Sequence, residues 1–232
     1  KVRGYNLTTA AEEFNVTLTG STFLNDIAID NSGIAYISDF TNRRIYKLNT
    51  NNSDYWIYIA NTTNTPNGVY VDAVRNRLLI CCWGSNAPVK QVNFADSVIS
   101  NIITTPYSNC DGISLDRNDN VYISTWGIQS VVKYDINFAN SPVIFTGGLS
   151  NPADIYVNKN SDTLAVPNAG NNTVTFYFLN NPTSVTQLNS EIPSSYILKQ
   201  NYPNPFNPST NLEFGISELR YVKLKIYNGI GK

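Results

Sequence analysis

Leu24-Asn25-Asp26-Ile27-Ala28-Ile29-Asp30 returns three times along the chain. The copies are Pro66-Asn67-Gly68-Val69-Tyr70-Val71-Asp72, Cys110-Asp111-Gly112-Ile113-Ser114-Leu115-Asp116 and Pro152-Ala153-Asp154-Ile155-Tyr156-Val157-Asn158. Their second residues, Asn25, Asn67, Asp111 and Ala153, stand 42, 44 and 42 residues apart. Within each copy apolar residues alternate with others, which is the period of a strand. A repeat of roughly 40–45 residues holding four short strands is the unit of a β-propeller blade.

Each copy continues in the same way. Turn residues such as Asn31-Ser32-Gly33 and Asn118-Asp119-Asn120 lead into a second strand, expected at 34–38, 78–82, 121–125 and 163–167. Third strands are expected at 44–48, 89–94, 131–136 and 173–178, and fourth strands at 56–60, 98–103, 142–146 and, weakly, 185–188. Residues 1–7 and 14–18 read as the third and fourth strands of an incomplete blade, with Glu12 and Glu13 in the loop between them. No long 3.6-residue period occurs, so the chain is all-β. About four and a half blades are visible. A closed ring buries every blade face, so the expectation is a six-bladed parent whose N-terminal part lies upstream, or closure by other means. The propeller is expected over 1–188, a polar, Pro-punctuated linker over 189–195, and a second unit over 196–232.

Composition narrows the function. The net charge of -1 and the charged fraction of 14% carry no basic footprint for nucleic acid. No apolar run reaches the roughly eighteen residues of a membrane span. The chain has no His, which removes the usual base near neutral pH, Ser-His-Asp and Cys-His chemistry, and His-ligated zinc. Met is also absent and no signal peptide is visible, so the sequence reads as mature, processed or truncated. The cysteines are Cys81, Cys82 and Cys110. Neighbours in a strand point to opposite faces, so Cys81 and Cys82 should separate. Buried free thiols are one reading, and a disulfide from Cys110 to one of the other two is another.

The tail carries Gln200-Asn201-Tyr202-Pro203-Asn204-Pro205-Phe206-Asn207-Pro208-Ser209-Thr210, followed by alternating Leu212, Phe214 and Ile216. Each Pro fixes φ and pushes its predecessor to an extended conformation, which suggests a rigid entry into a new β-unit. Residues from Ile192 to the end resemble a truncated type A C-terminal sorting domain of the bacterial type IX secretion system. The resemblance implies export through the periplasm and outer membrane by that machinery, to the cell surface or medium.

The repeat unit from Asp26 to Leu48, with Ile34-Ala35-Tyr36-Ile37-Ser38-Asp39 and Asn42-Arg43-Arg44-Ile45-Tyr46-Lys47, resembles an NHL repeat. The set resembles the gluconolactonase (regucalcin)-like six-bladed propellers. That family holds a divalent cation at the top of its tunnel through a Glu, an Asn of an Asn-Gly step and an Asp of an Asp-Gly step. The resemblance places metal ligands at Asn67 and Asp111 and substrate contacts at Asn25 and Asp26, with the Glu outside this chain. Ca²⁺, Mg²⁺ or Zn²⁺ would suit such a site, and a metal there would polarise a lactone carbonyl and activate water. The same Asn and Asp positions also serve as backbone-bonding residues at inner-strand starts, where Gly leaves room at a narrow axis. Phe40, Trp83 and Trp126 follow equivalent second strands, where aromatics rim a ligand mouth or fill gaps between blades. Asp154 joins Asn25, Asp26, Trp83 and Trp126 as a candidate ligand residue. Two functions follow. One is a binding module for a small molecule, glycan or protein on one propeller face. The other is a metal-dependent lactonase-like hydrolase.

Overall fold

The structure, a computed structural model, describes residues 1–179, 197–202, 204–205 and 210–215. The chain divides into two compact units, Lys1–Asn181 and Pro182–Lys232. Among the described residues every regular element is a strand, and no helix is long and apolar enough to cross a membrane.

The first unit starts with a hairpin of β1 (Val2–Tyr5) and β2 (Glu12–Val16). Four antiparallel sheets follow, each a meander in chain order. Blade 1 is β3 (Leu24–Ile29), β4 (Ile34–Asp39), β5 (Arg44–Asn49) and β6 (Tyr55–Ile59). Blade 2 is β7 (Thr65–Asp72), β8 (Arg77–Trp83), β9 (Pro88–Asn93) and β10 (Ile99–Thr104). Blade 3 is β11 (Cys110–Leu115), β12 (Asn120–Thr125), β13 (Ser130–Asp135) and β14 (Val143–Thr146). Blade 4 shows β15 (Tyr156–Asn158), β16 (Thr163–Asn168) and β17 (Thr173–Phe178). A fourth strand expected at 185–188 and the linker expected at 189–195 lie outside the described residues. The first strands of successive blades pack side by side, β3 on β7, β7 on β11 and β11 on β15, so they are the innermost. This is a β-propeller arrangement of four blades.

The turns explain the spacing. The motif's last residue, Asp30, Asp116 or Asn158, folds back on the next turn. Asp30 Oδ1 accepts the N–H groups of Ser32 and Ile34 at 2.8 and 2.9 Å, and Asp116 Oδ1 those of Asn118 and Asn120 at 2.9 and 2.8 Å. Gly33, Asn76, Asp119 and Asp162 then take positive φ (81, 50, 61 and 47°) just before β4, β8, β12 and β16. Gly, Asn and Asp tolerate that left-handed conformation best, which is why these turns are written in those residues.

Each seam is a sheet-on-sheet core. Val2, Phe14 and Val16 of the hairpin cover Ala35, Ile37, Tyr46 and Leu48 of blade 1. Tyr36 and Ile45 meet Val69, Leu78 and Ile80 between blades 1 and 2. Leu79 and Val89 meet Ile113, Leu115 and Ile123 between blades 2 and 3. Tyr122 and Val131 meet Ile155, Val157, Leu164 and Val166 between blades 3 and 4. Each fully buried aliphatic side chain contributes roughly 1.5–3 kcal/mol. The strand alternation sends Cys81 into the blade 2–3 core and Cys82 into the blade 1–2 core. All three cysteines are buried and free.

Two expectations need correction. Glu12 and Glu13 are the first residues of β2, not loop residues, because the hairpin turn closes earlier, through Asn6 Oδ1 accepting the N–H groups of Thr8 and Thr9. In the second unit the Pro-rich stretch lies between two paired strands. β18 (Ile197–Leu198) pairs with β19 (Phe214–Gly215), and Tyr202 exchanges backbone hydrogen bonds with Asn211 at 3.1 and 2.9 Å. Pro205, the described proline of that stretch, falls inside the connection.

Around the axis, backbone crowding is set by two glycines. A Cβ on Gly68 would lie 2.9 Å from the Gly112 Cα and closer still to the Asp111 carbonyl oxygen. A Cβ on Gly112 would lie 2.7 Å from the Asp154 Cα and against the Ile155 nitrogen. The obstacles are backbone, which cannot swing aside. We expect Gly112→Ala to destabilise the propeller unit by about 1–3 kcal/mol, as overpacking does. Urea denaturation followed by tryptophan fluorescence reads this, and an unchanged midpoint would show that the inner strands can part at no cost.

Candidate functional site at the mouth of the channel

The inner strands start where the second strands end. The registers Leu24↔Asp39, Thr65↔Trp83 and Cys110↔Thr125 therefore bring the motif's Asn-Asp, Asn-Gly and Asp-Gly steps to one end of the propeller, together with the aromatics after the second strands. Behind this end runs a cavity of about 310 Å³, lined by Asp26 and Ile27 of blade 1, Val69 of blade 2, Ile113 of blade 3, and Asp154 and Ile155 of blade 4.

The amides form a chain across the strands. Asn25 Nδ2 donates to Asn67 Oδ1, and Asn67 Nδ2 donates to the Cys110 carbonyl at 3.1 Å. Asn67 is buried, with its oxygen turned to one neighbour and its nitrogen to the other. Hydroxyl and thiol groups add further ties. Ser124 Oγ donates to the Ala153 carbonyl at 2.7 Å, and Cys81 Sγ, at the equivalent position one blade earlier, donates to the Asp111 carbonyl at 3.0 Å. Cys81 thus does the work of a serine, and burial raises its thiol well above the usual range.

Three carboxyl groups meet at the axis. Asp26 Oδ2 accepts the Val69 N–H at 2.6 Å and Oδ1 its neighbour Ile27 N–H at 2.7 Å, so its oxygens are dressed as a carboxylate. Burial nonetheless raises its pKa, and these backbone bonds oppose the rise. Asp154 faces Asp26 across the channel and shares a hydrogen bond with it. Loss of water in the narrow channel, then the charges of Asp26 and Asp111, push the Asp154 carboxyl up to about 7. Asp154 is therefore held toward its protonated form beside Asp26. Burial lifts Asp111 to about 6, against the pull of contacts with Asn67 and the Trp126 indole.

The aromatics pack edge to face rather than standing apart. Phe23 meets Phe40 with centroids 5.5 Å apart, Phe40 meets Trp83 at 6.0 Å, and Trp83 meets Trp126 at 5.3 Å. Phe40, Trp83 and Trp126 are half-buried and Phe23 is exposed, so the run both joins blades and leaves ring faces at the mouth.

The structure thus brings together Asn25, Asp26, Asn67, Asp111, Asp154, Trp83 and Trp126 at one end. Phe23 was missed in the sequence because it precedes the repeat and no equivalent aromatic stands there in the other copies. The meeting of Asp26 with Asp154 was also missed. Both occupy the third place of their repeat copy, so aligning the copies around one axis would have signalled it. Asn67 and Asp111, the expected metal ligands, stand on neighbouring inner strands at this end of the propeller. The Asn67 carbonyl oxygen already accepts from Asn25, and no group of three or more His, Cys, Asp or Glu able to hold a metal ion occurs among the described residues.

No protein-family model matches the sequence, and a comparison with curated proteins returned no relative. Among solved structures the fold is similar to one described as a crystal structure of a nidogen/laminin complex, with a TM-score of 0.62 and 16% identity. The match covers 69% of this chain and 62% of that one, and at this identity it speaks for the propeller fold alone.

The raised carboxyls give a pH dependence with a definite sign. Asp154 and Asp111 titrate at about 7 and about 6 when folded, against an ordinary 3.8, so the native state keeps protons that the unfolded chain releases. Stability is therefore greatest at the acidic end of this window and falls as pH rises through it to about 7. Asp39, Asp119 and Asp135 are shifted downward and act below this window. The melting temperature of the propeller unit should drop between mildly acidic and mildly alkaline buffer, and Asp154→Asn should flatten the drop. A flat wild-type profile would contradict the raised carboxyls.

Proposed function

We propose that this chain is an exported, cell-surface or secreted β-propeller that works as a binding module through the mouth of its channel. The observation that carries the reading is the pairing, at one end, of an aromatic run with three carboxyl groups. Aromatic faces offer large, rigid contact area, and buried carboxyls orient hydroxyl or amine groups. A glycan, small molecule or protein loop would fit that chemistry. The propeller fold, shared with a structure solved as a nidogen/laminin complex, is consistent with an interaction role. The tail's resemblance to a type IX secretion sorting domain supports export, with that secretion machinery as a partner of the second unit.

Glycan and peptide arrays probed with the full chain test the reading. Any ligand found should lose at least about tenfold in affinity with Trp83→Ala or Trp126→Ala, the scale of one lost stacking contact. Unchanged binding would remove the mouth from the proposal. Export is checked by a variant ending before Tyr196, which should remain in the periplasm, and normal release of that variant would overturn the assignment.

The carboxyl cluster keeps a second reading in view, a metal-dependent lactonase-like hydrolase of the gluconolactonase kind. It calls for Asn67 Oδ1 to offer a lone pair to the cation while Nδ2 keeps the Cys110 carbonyl. Lactone hydrolysis assayed with and without Ca²⁺, Mg²⁺ or Zn²⁺ decides it. Hydrolysis dependent on the cation and lost in Asp111→Asn would favour it, and its absence under all three would end it.

A further inference from the structure

Comparison of successive blades separates what the architecture needs from what it merely carries. Lys90 is the third residue of β9, and Tyr46 and Val132 hold the same place in β5 and β13. Lys90 is only 5% exposed. Its ammonium reaches across the seam to the loop that leaves blade 1. It donates to Thr63 Oγ1 at 3.0 Å and to Asn101 Oδ1 at 2.6 Å, both neutral acceptors, and its third proton has no partner among the described residues. Arg43, just ahead of β5, sends Nη1 to the carbonyl oxygen of the same Thr63 at 3.3 Å. Two cations thus meet at one residue, and among the described residues neither forms an ion pair. Cys82, near enough to feel the charge of Lys90, is a neutral thiol pushed up to about 12 by burial and offers no counter-charge. Thr63 and Asn101 are exposed, so the ammonium lies one side chain beneath the surface. Thr63 also holds a φ of 65°, which is unusual for a β-branched residue. At the next seam Thr105 gives its N–H to the Ala87 carbonyl as Thr62 gives its own to Arg43, so Ala87, Pro106 and Val132 hold the places of Arg43, Thr63 and Lys90. A seam therefore closes with apolar residues at all three places. Burying an ammonium without a counter-charge is costly, and the packing does not ask for it.

We propose that Arg43, Thr63 and Lys90 form a binding site for a doubly charged oxyanion, the sulfate or phosphate group of a ligand, between blades 1 and 2. The turn from β4 to β5 carries Arg43 and the loop from β6 to β7 carries Thr63, and both stand at the end of the propeller where the inner strands start. Arg43 is exposed, and the rest of its donor fork can meet two oxygens of one anion. Lys90 adds its third proton and a charge that little water screens. Two positive charges match a dianion, whereas a carboxylate would balance only one. The site goes beyond the reading of the mouth and stands without it, because none of the three residues belongs to the aromatic run or to the carboxyl cluster.

The probe is sodium sulfate, titrated into the full 232-residue chain while sodium chloride holds the ionic strength constant, with backbone amides followed by NMR. The amides of residues 61–64 should shift and saturate, and those of Thr105 and Tyr107 at the apolar seam should stay in place. Arg43→Gln should weaken binding by at least about tenfold, and so should Lys90→Met, which sets an apolar side chain where blade 3 has Val132. Should Lys90→Met fold poorly, Arg43→Gln, at an exposed position, carries the test. Trp126→Ala should leave sulfate binding unchanged, which separates this result from the mouth reading. Phosphate titrated in the same way tells the two sources apart, the tighter anion naming the group on the ligand, and acetate should bind more weakly than either. Three results would each overturn the proposal. They are shifts that grow without saturating, sulfate affinity that ignores the substitutions, and acetate binding as tightly as sulfate.

Discussion

The inner strands approach one another around the axis more closely than side chains would allow, and much of the structure depends on that approach. Gly68 and Gly112 make room for it, each facing the backbone of the next blade where a Cβ would collide. The approach brings backbone groups of one blade within reach of side chains of the next. Asp26 can then hold the Val69 N–H, Ser114 Oγ can accept the Val157 N–H at 3.0 Å, and Ser124 and Cys81 can reach the next inner carbonyls. Buried backbone groups need such partners. These bonds fix the rotation of each blade against its neighbour, and the apolar seams then close around them. Arg75 to Asp119 and Arg117 to Asp162 add ion pairs between successive blades, at partly exposed sites where such pairs contribute little.

The same approach creates the chemistry of the mouth. Carboxyl groups that would be ordinary at a surface are drawn together and stripped of water, and one of them keeps a proton near neutral pH. The site's charge is thus a product of the packing. A substitution that opened the axis would return Asp111 and Asp154 toward ordinary values and erase the electrostatic character of the mouth together with part of the fold's stability.

Much of this was legible in the chain. The 42–44-residue spacing gave the blades, the turn residues gave the strand starts, and adjacent Cys81 and Cys82 divided between two cores as alternation demands. What sequence could not weigh was the competition for each polar group. Asn67 reads equally well as a ligand or as a bridge, and only its two bonds to neighbouring strands show how it is engaged. Trp83 and Trp126 were likewise open between rimming a mouth and filling a gap, and their rings do some of each. Asp26 and Asp154 are far apart in sequence and meet because four strands surround one axis, which no local pattern encodes.

The ends of the array show how the repeat works. Blade 4 turns Tyr156, Val174, Phe176 and Phe178 outward, and all four are exposed, although this is the face that blades 1 to 3 bury against a successor. At the other end, the hairpin covers the outer part of blade 1 but leaves Ile27 and Ile29 bare near the axis. In a stacked array each unit is stabilised chiefly by its neighbours, so cohesion is greatest at the seam between blades 2 and 3 and weakest at the two ends.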